Sequence, residues 1–150
     1  MKLAQIQMHV TADKAANLRH AEDLLRSVRG ADMAILPEMF CCPYDNACFR
    51  AYGEPEGGPA YQMLSRTARE LNLWLVGGSL PELDGDKIYN TAYVFDPTGT
   101  CVARHRKMHL FDIDVQGGQS FRESATLSPG NDITLFDTPY GRIGLCICFD

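Results

Sequence analysis

The chain has 150 residues, a formal net charge of −5 at pH 7 and an apolar share of 45%, which suits one domain with a core of its own. Its longest basic run is "RHRK" at 104–107, so it lacks the clustered Lys/Arg surface that phosphate neutralisation needs, and nucleic acid is excluded as a partner. Gln5 and Gln7 interrupt the opening "MKLAQIQMHV", which is no signal peptide, and no apolar stretch is long enough to span a bilayer; the expected location is the cytoplasm, with no membrane partner.

Residues 2–10 read as a first strand. In "TADKAANLRHAEDLLRSVRG", Leu18, Ala21, Leu25 and Val28 fall on one helical face with Leu24 beside them. Thr11 or Asp13 can cap its start and Gly30 its end. "DMAILPE" is a short buried strand ended by Pro37, and a loop rich in Pro, Gly and aromatics runs over 39–58. "PAYQMLSRTARELN" is a second helix, with Pro59 in its first turn and Ala60, Met63, Leu64, Ala68 and Leu71 facing inward. Next come a strand "LWLVGGSL", a turn in "ELDGDK", a strand "IYNTAYVFD", a "PTG" turn and a strand "TCVARHRK". The segment 108–131 is long, Gly-rich and irregular, longer than ordinary loops and so a candidate for function. "ITLFD" and "RIGLCIC" pair across Thr-Pro-Tyr-Gly. No repeat or linker divides the chain, and the order of elements suggests a layered α/β sheet.

Six cysteines, at 41, 42, 48, 101, 146 and 148, have neither the secretion signal nor the spacing of a disulfide or zinc framework. Most are expected to be small buried hydrophobes, Cys101 and Cys146 above all, with Cys42 and Cys48 less firmly so because they lie in a loop. If "RIGLCIC" stays regular, Ile143, Leu145 and Ile147 share one face and Gly144, Cys146 and Cys148 the other. Residues two apart on a strand sit about 6.6 Å apart with parallel side chains, which is badly aimed for a disulfide. One of the two cysteines can then be packing, while the other emerges at the strand end, where open α/β sheets bind ligands.

Other chemistry-bearing residues also sit at strand ends. Glu38 follows "AILP", and a carboxylate there is costly unless paired or employed. Lys107 ends "CVARHRK", and Glu123 lies within the long loop. A cysteine nucleophile needs a base for its proton and a positive partner for the developing oxyanion, and Glu, Lys and Cys at three strand ends meet those needs. Taken singly, each charged residue is more often a solvated surface charge.

"LPEMF", "HRKMHLFDIDV" and "GLCICFD", in this order, together resemble the nitrilase superfamily of carbon–nitrogen hydrolases, and the resemblance extends through "IYNTAYVFDPTG" and "FRESATLSPG". It implies that Glu38 is the general base, Lys107 the partner of the tetrahedral intermediate and Cys148 the nucleophile, with Cys146 as packing. Glu123 would orient the lysine and the substrate, and the N–H of Phe149 would face the oxyanion. It implies no metal and no cofactor. "HLFDIDVQGGQSFRES" looks most like the omega-amidases, which cleave the terminal amide of small dicarboxylic monoamides such as 2-oxoglutaramate. Alternatives are another amide, carbamoyl or nitrile hydrolase of the superfamily, or a catalytically incompetent fragment. The fold the resemblance implies is α/β, the N-terminal part of an α-β-β-α sandwich of the nitrilase type, truncated after the nucleophile strand. Residues 1–150 would be the N-terminal portion of one carbon–nitrogen hydrolase domain, with the C-terminal half absent, and the full-length parent a homodimer acting on a small-molecule amide.

Overall fold

Residues 1–118 and 120–150 are described by a computed structural model, and Gln119, in the long segment, lies outside the described residues. Three short strands, β1 (Leu3–Gln5), β2 (Met33–Ile35) and β3 (Trp74–Val76), pair in parallel. The nine-residue strand β5 (Lys87–Phe95) runs antiparallel beside β3. β3 and then β4 (Leu80–Asp84) occupy successive stretches of one edge of β5, and β6 (Cys101–Arg106) takes the other edge.

Helices α1 (Lys14–Ser27) and α3 (Pro59–Leu71) cover one face of this sheet. Asp13 caps α1 by accepting from the N–H of Ala16, and Pro59 opens α3, whose fixed φ suits a first helical turn. The inward stripes are those the 3.6-residue period gave: Ala21 and Leu25 from α1, and Ala60, Met63, Leu64, Ala68 and Leu71 from α3. They meet Ala34, Leu75, Tyr93 and Phe95 of the sheet. On the opposite face Met33, Val76 and Val94 meet Phe136, Ile143 and Leu145 of a hairpin built from β9 (Thr134–Thr138) and β10 (Gly141–Leu145). Strand alternation sends neighbours to opposite layers, so the described chain stacks helices, sheet and hairpin as α-β-β layers. Among the described residues no helix is long and apolar enough to cross a membrane.

Five expectations along the chain differ. The first strand is three residues rather than the whole of 2–10. "LWLVGGSL" is two strands, because the chain turns at Gly78 (φ +59°), where a Cβ would lie 2.1 Å from the carbonyl oxygen of Pro37. The turn expected in "ELDGDK" narrows to Gly85 and Asp86, since Glu82–Asp84 pair with β5. The loop 39–58 contains a seven-residue helix, α2 (Asn46–Tyr52), and the irregular 108–131 contains a small hairpin, β7 (Asp112–Asp114) with β8 (Ser120–Arg122), followed by a single 3-10 turn at Glu123–Ala125.

Candidate active site

Each candidate residue is held just past a strand end. Glu38 follows β2 and Pro37, and the next residue, Met39, is left-handed (φ +51°) with its N–H donated to Ser79 Oγ at 3.0 Å. Lys107 continues the β6 ladder by one residue: its N–H donates to the carbonyl of Asn90 at 2.9 Å, and its carbonyl accepts from Gly130 at 2.8 Å. Gly130 has no alternative there, since a Cβ would lie 2.2 Å from the Arg106 carbonyl oxygen. Glu123 opens the 3-10 turn.

Lys107 and Glu123 are fully buried (0% exposed) and Glu38 is 25% exposed. Lys107 Nζ lies 3.0 Å from Glu38 Oε1 and 3.0 Å from Glu123 Oε2. Burial works against the ammonium, but the two carboxylates outweigh it and hold the Lys107 pKa above the ordinary lysine range. Both oxygens of Glu123 are engaged elsewhere as well. Tyr44 donates its hydroxyl to Oε1 at 2.5 Å, and the N–H of Phe111 donates to Oε2 at 2.5 Å. Glu38 is different. Its Oε1 accepts from Lys107 and, at 2.7 Å, from Asn90 Nδ2, while no N–H among the described residues reaches its Oε2, and the carboxylate also acts on the Cys148 thiol.

The strand that leads to Cys148 stops early. β10 ends at Leu145, and Cys148 is left-handed (φ +48°), a conformation that non-glycine residues adopt rarely. The regular alternation therefore breaks before Cys148, and Cys146 and Cys148 are no longer neighbours on one strand face. The thiol of Cys148 comes under the influence of Glu38, Lys107 and Glu123. Desolvation and the Glu38 carboxylate raise its pKa, Lys107 opposes them, and the net effect is upward, so the thiol is neutral at rest. Cys146 is exposed, not buried as expected. It follows the last residue of β10 and lies beside the cavity that Glu38 and Cys148 line. Cys41 and Cys42 are buried, which pushes both thiols up to about 12. Cys48 and Cys101 are half-buried.

Phe149 is 62% exposed, with its ring edge-on to Phe111 at 5.7 Å. Its N–H has no acceptor among the described residues. The elbow is pinned by Asp150, whose carboxylate accepts from the N–H groups of Ile147, Met108 and His109 at 2.8–3.0 Å. His105 Nε2 lies 2.8 Å from the same carboxylate. An acceptor-only carboxylate selects the Nε2–H form of this histidine. Desolvation opposes the charge of Asp150, but His105 and the three N–H groups overcome it and hold the pKa at about 2. His105 lies two residues before Lys107 and Met108 directly after it, so one side chain ties the elbow to the lysine strand.

Glu38 and Cys148 line a cavity of about 110 Å³ together with Ser79, Ala92 and Leu145. A larger groove of about 340 Å³ lies elsewhere, beside Lys87, Tyr89, Arg104 and Arg106. Its arginines are already taken by Glu82, Asp84 and Glu56, so it offers no comparable chemistry. Asn90, Tyr44, His105 and Asp150 were not singled out from the sequence. An Asn inside the largely apolar "IYNTAYVF" was an available signal, and so was an Asp directly after the Cys-aromatic pair. Tyr44, in a loop, gave none.

A family model described as carbon-nitrogen hydrolase matches residues 2–150. An omega-amidase NIT2 of Danio rerio is 48% identical over 99% of this chain and 54% of its own length. That of Bos taurus is 50% identical over 99% and 55%. Among solved structures, Saccharomyces cerevisiae Nit3, a member of branch 10 of the nitrilase superfamily, superposes with a TM-score of 0.86 at 38% identity, over 99% of this chain and 55% of that one. The C. elegans NitFhit protein superposes with a TM-score of 0.82 at 27% identity, over 98% and 37%. The chain spans about half the length of the curated relatives it matches. It belongs to the carbon–nitrogen hydrolase family.

Proposed function

We propose that this carbon–nitrogen hydrolase is an omega-amidase, releasing ammonia from the terminal amide of a small dicarboxylic monoamide such as 2-oxoglutaramate through a cysteine thioester. The observation that carries the mechanism is the unequal engagement of the two glutamates on Lys107: Glu123 is saturated and fully buried, whereas Glu38 keeps one oxygen open and faces the Cys148 thiol.

In this reading Glu38 takes the thiol proton as sulfur attacks the amide carbon. The carbonyl oxygen becomes an oxyanion, held by the Lys107 ammonium and the free N–H of Phe149. The C–N bond breaks, and nitrogen leaves as ammonia with the proton that Glu38 carried. Water then yields a proton to Glu38 and attacks the thioester; the C–S bond breaks, the proton returns to sulfur, and the product leaves as the carboxylic acid, which ionises to the carboxylate by giving its proton to ammonia or water. A general base supplies ~10²–10⁴-fold and one oxyanion donor ~10²–10³-fold. Lys107 serves as a fixed charge and not as an acid, since its two carboxylates hold its proton firmly. Glu123 serves as the buried counter-ion that aims it.

The substrate class rests on the similarity to proteins named omega-amidase and on the "HLFDIDV" and "FRES" segments around Glu123. A homodimer in the cytoplasm is the assembly and location that go with this reading. The test is ammonia release by the whole protein from 2-oxoglutaramate, succinamate, an aliphatic nitrile and a carbamoyl amine under matched conditions. The two monoamides should have the higher kcat/KM. A preference for the nitrile or the carbamoyl amine overturns the substrate class.

A further inference from the structure

Asn90 lies in the middle of β5 with its side chain fully buried. Its Nδ2 donates to Glu38 Oε1 at 2.7 Å, but its Oδ1 is buried and finds no hydrogen-bond partner among the described residues. An orphaned buried acceptor is unfavourable, and native chains keep one only when something else requires it. The orientation cannot be relieved by turning the amide over, because that would set Oδ1 against the Glu38 carboxylate. The backbone carbonyl of the same residue accepts the N–H of Lys107 at 2.9 Å. Asn90 therefore holds the carboxylate with its side chain and the lysine with its main chain. Lys107 Nζ donates to the same Glu38 Oε1 at 3.0 Å, so that oxygen has two N–H donors and Oε2 has none among the described residues.

We propose that Asn90 is a positioning residue that commits one oxygen of Glu38 to the lysine and so leaves the other aimed at the Cys148 thiol. This rests on the reading of Glu38 as the base and extends it: the base is a single oxygen, selected by an amide that tolerates an unsatisfied carbonyl to do so. A purely structural role makes the opposite demand, because an apolar residue of similar size at this position would remove the orphan.

The experiment compares the whole protein with its Asn90→Val and Asn90→Asp variants, measuring ammonia release from 2-oxoglutaramate, the thermal midpoint, and the rate at which iodoacetamide alkylates Cys148. A misplacement of about 1 Å can reduce a rate ~10²-fold. The Asn90→Val variant should lose kcat on that scale, with little change in KM and no fall in the thermal midpoint. The Asn90→Asp variant sets two carboxylates against each other, facing Lys107, Glu123, Tyr44 and Cys148. It can restore the donor only while the pair shares a proton, so its activity should be greatest in acid and fall as pH rises, unlike the parent. Variants within about 3-fold of the parent at all pH values, or a kcat that falls only in step with the folded fraction, overturn the proposal. If the unmodified protein releases ammonia from no amide, the functional reading fails and alkylation decides the role of Asn90. The Cys148 thiol should then react about 10-fold faster in the parent than in Asn90→Val, a smaller effect than on turnover because only the proton-transfer step is sampled; equal rates overturn the proposal.

Discussion

Replacing Asp150 by Asn tests how the elbow at Cys148 is held. The Asp150 side chain is 1% exposed, and its carboxylate receives four N–H donors, from His105, Met108, His109 and Ile147. An Asn keeps the shape but presents an NH₂ to donors that need an acceptor, and it removes the charge opposite His105. The folded-state pKa of about 2, against an ordinary 3.8, corresponds to about 2 kcal/mol of stabilisation of the ionised form. The folded pKa is depressed, so this stability is fully present above the unfolded pKa and is lost as pH falls from about 4 towards about 2. The Asn variant lacks that contribution at every pH. Urea unfolding followed by circular dichroism should therefore find the variant about 2 kcal/mol less stable at about pH 7, with the gap closing at about pH 3 and below as the parent loses its carboxylate charge. The same substitution frees the elbow from the segment around Lys107, so ammonia release should fall with it. A gap that is absent at neutral pH, or that persists unchanged into acid, refutes this account of the elbow.

Cys148→Ala should abolish ammonia release. Cys146→Ala, at an exposed position, should change the unfolding free energy by no more than about 0.5 kcal/mol; an inactive Cys146→Ala with an active Cys148→Ala would invert the assignment. Glu123→Gln places an amide among three donors, Tyr44, Lys107 and the Phe111 N–H, at a fully buried position. It should destabilise the protein by about 3 kcal/mol or more, and a change within about 0.5 kcal/mol in urea unfolding would mean that the network does not hold the lysine.

The parts of the fold legible in the sequence are those whose signal is periodic. α1 and α3 carry apolar stripes over several turns, and those residues are the ones that meet the sheet. α2 is seven residues with Phe49 its sole buried side chain, too short to generate a pattern against its surroundings. The break in "LWLVGGSL" is set from outside the segment, by the backbone of Pro37 pressing on Gly78. The end of β10 was misread for a related reason. Apolar alternation continues through Ile147, which is buried, but the hydrogen-bonded ladder ends at Leu145, so period and pairing part company where the elbow begins. Glu38, Lys107, Glu123 and Cys148 could be singled out because each follows a strand or sits in a named motif. Asn90 and Tyr44 act on residues 52 and 79 positions away, and a single sequence carries no sign of such a pairing.

The site obtains different behaviour from like residues by changing what surrounds them. Two glutamates flank one ammonium, and the distribution of donors and the depth of burial separate them. Glu123 meets a hydroxyl, an ammonium and a backbone N–H, and it has no oxygen left for chemistry. Glu38 meets an amide and an ammonium on one oxygen, at a position still open to the cavity. The consequence for Cys148 follows from the sign of its shift. A raised thiol pKa means that little thiolate exists at neutral pH, so the sulfur is a poor nucleophile towards stray electrophiles and oxidants. Lys107, held charged by both carboxylates, cannot take the thiol proton, and Glu123 has no free oxygen to receive it. In the proposed mechanism the one group left to accept the thiol proton is therefore Glu38, as the oxyanion forms beside Lys107.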